Sequence, residues 1–207
     1  MIRILGACGD DPQANAYRSM FAARKSVFVD LLKWDVPVLA SKYELDQFDD
    51  EHATYLIIAE DDGTHLGSCR LLPTVRPHIL NSLYPELCDG GVPSGPDILE
   101  VTRFCLDRRL SAHARRLVRD TLVTMLAEYA VAEDIRSYSA LAELRWSEQI
   151  RNFGWRCALL GPPRAIVGKL MAALRIDIDH RTLNLLEACG IKATTCISSF
   201  AAAAAAA

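Results

Sequence analysis

Two apolar runs flank an acidic turn: T-Y-L-I-I-A at 54–59, E-D-D-G-T at 60–64 and H-L-G-S-C-R-L-L at 65–72. Asp62-Gly63 is a turn signal, so this spacing predicts a β-hairpin. A third run, Ile98–Leu106 (I-L-E-V-T-R-F-C-L), predicts another strand. Ser111 is placed to cap a long helix to about Ala132, with Leu117, Val118, Leu122, Met125 and Leu126 on its apolar face. Ile135–Leu141 reads as a strand and Ala142–Phe153 as a helix stopped at Gly154. Trp155–Leu159 and Ile166–Ile176 read as strands, and Thr182–Ala188 as a last short helix ended by Gly190. Before the hairpin, Ile2–Leu5 suits a short strand and Gln13–Lys33 an amphipathic helix, while Val38–Asp50 reads as an irregular loop. The Pro- and Gly-rich stretch Val75–Gly95 reads as an excursion with one helical turn at Ser82–Leu87. Strands alternating with helices predict an α/β (α+β) fold, a mixed central β-sheet covered by helices.

A chain of 207 residues fits one domain, and with no repeat or linker residues 1–200 are expected to form it. The run Ala201–Ala207 is low complexity and is set aside. A net charge of −3 argues against general nucleic-acid affinity. No uninterrupted apolar run reaches the ~18 residues of a membrane span. The start, M-I-R-I-L-G-A-C, meets Asp10 and Asp11 too soon for a secretory signal. The seven cysteines are Cys8, Cys69, Cys88, Cys105, Cys157, Cys189 and Cys196, an odd number without metal spacing. Buried free thiols in a reducing cytoplasm are the plain reading. His52, His65, His78, His113 and His180 are scattered and read as surface or structural. There is no G-x-S-x-G, P-loop or G-x-G-x-x-G, which removes support for serine hydrolase, NTPase and dinucleotide readings.

The stretch Arg24–Asp49 is chemically the richest. It holds a cation (Arg24), two aromatics (Phe28, Trp34) and three acids (Glu44, Asp46, Asp49). Arg24 and Phe28 share one helical face. A core has use for Phe28, but not for an arginine beside it and an acid cluster just after. The mixture suits a ligand with an aromatic ring, a positive centre and a carboxylate.

Charged residues inside strands carry the second signal. In Ile98–Leu106, alternation sets Glu100 and Thr102 on one face and Leu99, Val101 and Arg103 on the other. A charge there is costly unless partnered. Either Glu100 and Arg103 belong to buried ion pairs, or Glu100 is a carboxylate aimed into a cleft and able to accept a proton. A carboxylate held in low dielectric is a stronger base. Arg70 stands similarly in the hairpin strand, where Asp46 or Asp49 is the natural salt-bridge partner.

With these residues laid out, the chain resembles the acyl-homoserine-lactone synthases, the LuxI-type autoinducer synthases. The likeness runs from about Arg24 to Gly190 and rests on R-K-S-V-F-V-D-L-L-K-W, E-L-D-Q-F-D, G-S-C-R-L-L-P-T and E-V-T-R-F, with G-W-R-C-A-L-L-G-P-P-R beyond them. The resemblance implies a GNAT-like acyltransferase fold with a V-shaped splay between Ile98–Leu106 and Ile135–Leu141. It also implies a reaction of S-adenosylmethionine with an acyl thioester. The methionyl amine attacks the thioester, then the methionyl carboxylate closes a lactone and expels methylthioadenosine. S-adenosylmethionine is a substrate here, and neither a cofactor nor a metal is implied.

Carried over residue by residue, the resemblance gives Glu100 and Arg103 as catalytic. It gives Arg24, Phe28, Trp34, Asp46, Asp49, Arg70 and Arg103 as S-adenosylmethionine-binding. In that reading Arg24 or Arg103 holds the carboxylate, and Asp46 and Asp49 anchor the arginines or meet the amine. Thr102 matches a position linked to acyl recognition. The acyl chain is expected against Met125, Leu126, Tyr138, Leu141, Leu144, Trp146 and Phe153, each of which also suits plain core. The chain departs from the family pattern at Leu31, Tyr84 and Leu99, and the last two place its acyl preference outside what any relative implies. The acyl donor is acyl carrier protein or acyl-CoA. Arg115, Arg116, Arg119, Arg145, Arg151 and Arg156 are available to dock an acidic carrier.

An ordinary GNAT-type N-acyltransferase using acetyl-CoA is the alternative. Such enzymes place a glycine-rich turn after the strand ending at Leu106 to cradle pyrophosphate. Here that turn reads D-R-R-L-S-A-H, without glycine. A non-catalytic, ligand-sensing relative is a third reading, opposed by the retained Glu100, Arg103 and acid cluster.

Overall fold

The computed structural model describes residues 2–5 and 12–193. Cys8, Cys196 and the alanine run Ala201–Ala207 lie outside the described residues. Contacts divide the chain into two compact units, the first containing residues up to Arg70 and Arg103–Val123, the second Leu71–Thr102 and Thr124–Lys192.

In the first unit, β1 (Ile2–Leu5) pairs in parallel with β4 (Thr54–Ala59). Next in order come β5 (His65–Pro73) and β6 (Ile98–Leu106), both of which continue into the second unit. The hairpin turn forms at Gly63, whose φ of +84° suits glycine. Helix α1 (Pro12–Arg24) packs Tyr17 and Phe21 edge-on against Tyr55, with ring centroids 5.4 and 6.0 Å away. Helix α3 (Ala112–Ala132) starts where Ser111 Oγ accepts the Ala114 N–H at 3.2 Å, as its sequence predicts. It lies so close to β5 that a Cβ at Gly67 would meet Val118 Cγ1 at 2.5 Å.

Two local departures surround the chemically rich stretch. The expected α-helix to Lys33 changes character after Arg24, because Lys25–Leu31 is a π-helix. Its wider turn is visible in Leu32 N–H donating to the Val27 carbonyl, five residues back, at 2.9 Å. The expected loop over 38–50 contains a minimal hairpin, β2 (Val38–Leu39) and β3 (Tyr43–Glu44). Ala40 and Ser41 turn it with φ of +49° and +55°, and Lys42 N–H donates to the Leu39 carbonyl at 3.0 Å. Alanine and serine are unusual in such a turn, so no sequence signal marks it.

In the second unit, β6 pairs in parallel with β7 (Ser137–Glu143) from Ile98↔Ser137 to Val101↔Ala140. This register covers four residues of each strand. β7 pairs antiparallel with β10 (Lys169–Asp177), which also pairs with β8 (Arg156–Leu159) and β9 (Arg164–Ile166). The single strand expected at Ile166–Ile176 is therefore two, folded at Val167 and Gly168 with φ of +47° and +77°. Short α2 (Ile79–Leu83) and a 3₁₀ turn (Pro85–Leu87) occupy the excursion. Helix α4 (Leu144–Arg151) follows β7, and α5 (Thr182–Ala188) comes last. Among the described residues, no helix is long and apolar enough to cross a membrane.

Candidate active site

Six charged side chains of the first unit form one buried network. Arg24 closes α1 and is 1% exposed. Its Nε donates to Glu44 Oε2 at 2.5 Å, and its two Nη atoms reach Asp49 Oδ1 and Oδ2, each at 2.8 Å. Arg70, on β5 and fully buried, grips Asp46 through both Nη atoms at 2.6 and 3.0 Å and also reaches Asp49 at 2.7 Å. Arg103, on β6, donates to Glu44 Oε1 from Nε and Nη2 at 3.1 and 2.9 Å, and from Nη2 to Asp46 at 2.6 Å. Backbone geometry pins the acids. Asp46 N–H donates to Asp49 Oδ2 at 2.8 Å, Phe48 N–H to Asp46 Oδ1 at 2.9 Å, and Tyr55 O–H to Asp49 Oδ1 at 2.8 Å.

Three guanidinium groups therefore face three carboxylates. Burial opposes their charges, but pairing wins. It weighs against Arg24, yet Asp49 and Glu44 hold that guanidinium's pKa above its ordinary value. It pushes Asp46 and Asp49 upward, yet Arg70 and Arg103 draw Asp46 below the usual carboxylate range, and Arg24 and Arg70 do the same for Asp49. Tyr55 is pushed up by burial and by the Asp49 charge, so it stays a neutral donor.

The aromatic pair borders this network. Phe28 and Trp34 stack with centroids 4.8 Å apart and planes 21° apart. The Arg103 guanidinium carbon lies 5.6 Å from the Phe28 centroid and 5.9 Å from that of Trp34. A cation does meet these rings, and in this structure it is Arg103. The Arg103 backbone has a φ of +51°, a left-handed value inside a strand, which departs from the regular alternation expected of Ile98–Leu106.

Glu100 and the acyl candidates belong to the second unit. Glu100 is fully buried and accepts the Leu80 N–H on Oε1 at 3.0 Å, a bond to the first turn of α2. Thr102 is 8% exposed. Tyr138 is buried, with its O–H donated to the Leu126 carbonyl at 2.9 Å. Leu141 packs against a buried cluster of Leu80, Leu87, Cys88 and Ala173. Trp146 and Phe153 meet edge-on at 5.8 Å, while Met125 and Leu144 are half-buried.

Glu44 and Tyr55 complete the network, yet the motif reading leaves both out of the site. Glu44 already stands in the acid cluster of the sequence, whereas Tyr55 sits in a plain apolar strand with nothing to mark it. The described cysteines are free, and burial pushes the Cys105 thiol up to about 12 and Cys157 to about 11, which suits inert thiols.

The autoinducer synthase family matches residues 11–186. The chain belongs to that family. It is 33% identical to an acyl-homoserine-lactone synthase of Ralstonia nicotianae over 79% of this chain and 82% of that protein. Among solved structures it resembles TofI in a ternary complex with an inhibitor and MTA, at 27% identity and a TM-score of 0.72 over 84% of this chain and 90% of that one. It also resembles MesI, a CoA-dependent acyl-homoserine lactone synthase, at 28% identity and a TM-score of 0.76 over 88% and 91%. An N-acetyltransferase from Lactobacillus plantarum shares the fold alone, at 16% identity and a TM-score of 0.55 over 84% of this chain and 95% of that one. As a family member the chain is an acyl-transferring enzyme with an acyl-homoserine lactone as its product class.

Proposed function

We propose that this enzyme binds S-adenosylmethionine at the Arg24–Asp49 network and acylates it from an acyl thioester, with Glu100 as the general base. The observation that carries the role assignment is the saturation of the network. Each of the three guanidinium nitrogens of Arg24 donates to Glu44 or Asp49. The carboxylates of Glu44, Asp46 and Asp49 are occupied by guanidinium, hydroxyl and backbone donors. Arg24, Arg70 and these acids form the frame. Arg103 uses Nε and Nη2 within the network, which leaves Nη1 for the methionyl carboxylate. Phe28 and Trp34 supply the aromatic surface for the adenine or the sulfonium.

Because the network acids are committed to arginines, the proton of the substrate ammonium goes to a different carboxylate. Glu100 is buried, and its Oε1 is held by the Leu80 amide, so a carboxylate is fixed in place to accept it. The freed amine attacks the thioester carbonyl, the C–S bond breaks, and the thiol leaves. The methionyl carboxylate then attacks its own γ-carbon, the sulfonium C–S bond breaks, methylthioadenosine departs and the lactone closes. Thr102, Met125, Leu126, Tyr138, Leu141, Leu144, Trp146 and Phe153 remain the acyl-contacting set.

The donor is carried on coenzyme A, as in MesI, or on acyl carrier protein. Arg115, Arg116 and Arg119 on α3, with Arg145, Arg151 and Arg156, are the docking cations for an acidic carrier. The enzyme works in the cytoplasm, in keeping with the free thiols of its described cysteines. It acts as one domain, since each unit is assembled from separate stretches and β5, β6 and α3 run through both. The acetyl-CoA reading is opposed by the turn after β6. There Asp107 Oδ1 accepts the Arg109 N–H at 2.8 Å and Ser111 takes the Ala114 N–H, so these amides are already engaged.

Mass spectrometry of reactions containing purified protein, S-adenosylmethionine and a panel of acyl-CoA and acyl-carrier-protein thioesters tests this reading. A homoserine-lactone fragment with matching methylthioadenosine is expected. Acylation of another amine, with no lactone, would put the acyltransferase reading first.

A further inference from the structure

Two hydroxyls in the sheet of the second unit stand out because they are fully buried without a protein partner. Ser137 and Ser139 are both 0% exposed, and neither Oγ has a hydrogen-bond partner among the described residues. Buried hydroxyls of this kind are costly unless something satisfies them. Their position says what they serve. The parallel register sets Ser139 beside Glu100 and Ser137 beside Ile98. The antiparallel register sets Ser139 beside Arg175 and Ser137 beside Asp177. Paired residues on neighbouring strands project from the same face, as do residues two apart on one strand. Leu141 confirms which face this is. It lies two residues beyond Ser139 and packs against the cluster containing Leu80, whose N–H Glu100 accepts.

A polar row thus crosses the sheet, from buried Glu100 through Ser139 to Arg175, with Ser137 and Asp177 alongside. At its outer end Arg175 and Asp177 form an ion pair at 2.8 Å and are 44% and 47% exposed. Strands lie about 4.8 Å apart and alternate residues about 6.6 Å apart. Both gaps are too wide for a direct bond; the one of about 4.8 Å suits one bridging water and the one of about 6.6 Å suits two.

We propose that Ser139 and Ser137 hold a short file of waters that carries the proton from Glu100 out to solvent at Arg175 and Asp177. The proposal rests on Glu100 being the general base. A buried base that takes a proton in each turnover must return it before the next. When the ammonium N–H breaks, an O–H forms on Glu100. That O–H then breaks as the proton passes to the water bonded to Ser139, and each water in turn gives up a proton to the next. One proton reaches bulk water, Glu100 is again a carboxylate, and no electrons change hands. The serines act through Glu100 and the water file, not on the substrate.

The test compares wild type with Ser139→Ala, Ser139→Thr, the double variant Ser137→Ala/Ser139→Ala and Glu100→Gln, in H2O and D2O. For the double variant, kcat should fall about tenfold, short of the ~10²- to 10⁴-fold expected for losing the base itself. KM for S-adenosylmethionine and for the thioester should stay within about twofold, since uniform binding is untouched. The solvent isotope effect on kcat should rise, and Ser139→Thr, which keeps a hydroxyl, should restore both. A double variant with wild-type kcat and isotope effect overturns the relay. So does a gain in stability on Ser→Ala replacement, because dry, unsatisfied hydroxyls are better removed whereas watered ones are missed. Should the double variant fail to fold, a high-resolution crystal structure of the wild type decides, and the absence of water density at Ser139 Oγ rejects the file. Full activity in Glu100→Gln would instead remove the base assignment, a separate failure with its own readout.

Discussion

Arg103 and Glu44, 59 residues apart, are joined by two hydrogen bonds, from Nε at 3.1 Å and Nη2 at 2.9 Å, both to Oε1. Glu44 Oε2 takes Arg24 Nε, so this single carboxylate ties the end of α1 to β6. The two-residue strand β3 exists to hold it there. A positive φ at Arg103 sets the other end of the bond. Strain of this kind persists only where the surroundings over-determine it, and ligand sites are where it concentrates.

Glu44→Ala should be the most damaging substitution in the network. It leaves two buried guanidinium groups short of an acceptor, which typically costs about 3–5 kcal/mol. Urea denaturation should show a lower midpoint, and S-adenosylmethionine should no longer shift it. An unchanged midpoint would show that Arg24 and Arg103 do not depend on this carboxylate.

Arg103→Lys keeps the charge but not the geometry. A lysine cannot donate twice to Glu44 while also reaching Asp46 and a substrate carboxylate. Isothermal titration should show S-adenosylmethionine binding weakened by at least ~tenfold, with far-UV circular dichroism unchanged. Wild-type affinity would take the substrate carboxylate away from Arg103.

Trp34→Ala removes a ring from beneath Arg103 and from the proposed ligand surface. The loss should be about 1–2 kcal/mol of binding, roughly tenfold in Kd. Phe28 remains to cover part of the gap. Unchanged binding would make Trp34 a packing residue alone.

Acid should weaken the fold in two steps. Burial draws His65 down to about 4 from 6.5, with Asp107 opposing the shift and Arg109 adding to it. A pKa depressed on folding contributes stability that is complete above the unfolded value and is lost as pH falls through the folded one. His65 therefore loses its share between pH ~6.5 and ~4, about 3 kcal/mol if the whole shift is realised. Asp46 and Asp49 are also depressed, so their share disappears below the usual carboxylate range near pH ~4. His65→Gln should flatten the upper step in a plot of denaturation free energy against pH and leave the lower one. Identical curves for the variant and wild type would remove His65 from the acid response.

Much of the fold is legible because its strands have strong, local signals. Thr54–Ala59 and Ile98–Leu106 appear with the boundaries their apolar runs predict, and Thr182–Ala188 likewise. The π-helix after Arg24 is not legible, since apolar spacing near 3.6 residues is satisfied equally well until the hydrogen bonds are seen. The Ala40-Ser41 and Val167-Gly168 turns are hidden because alanine, serine and valine rarely adopt a positive φ. In the site, the three arginines announce themselves as charges in apolar segments. Their pairing pattern does not, because it depends on contacts across 20 to 59 residues. Tyr55 is silent in sequence for the same reason, as is the alignment of Ser139 with Glu100, which only the β6–β7 register creates.

The most direct measurement follows acyl-homoserine lactone and methylthioadenosine together, by liquid chromatography and mass spectrometry, in matched reactions of wild type and Glu100→Gln. Wild type should release the two products in equal amounts from S-adenosylmethionine and an acyl thioester. The variant, still folded and still binding S-adenosylmethionine, should make both about 10²- to 10⁴-fold more slowly. Equal product from both proteins would contradict the role given to Glu100, and no lactone from active wild type with any thioester would contradict the account as a whole.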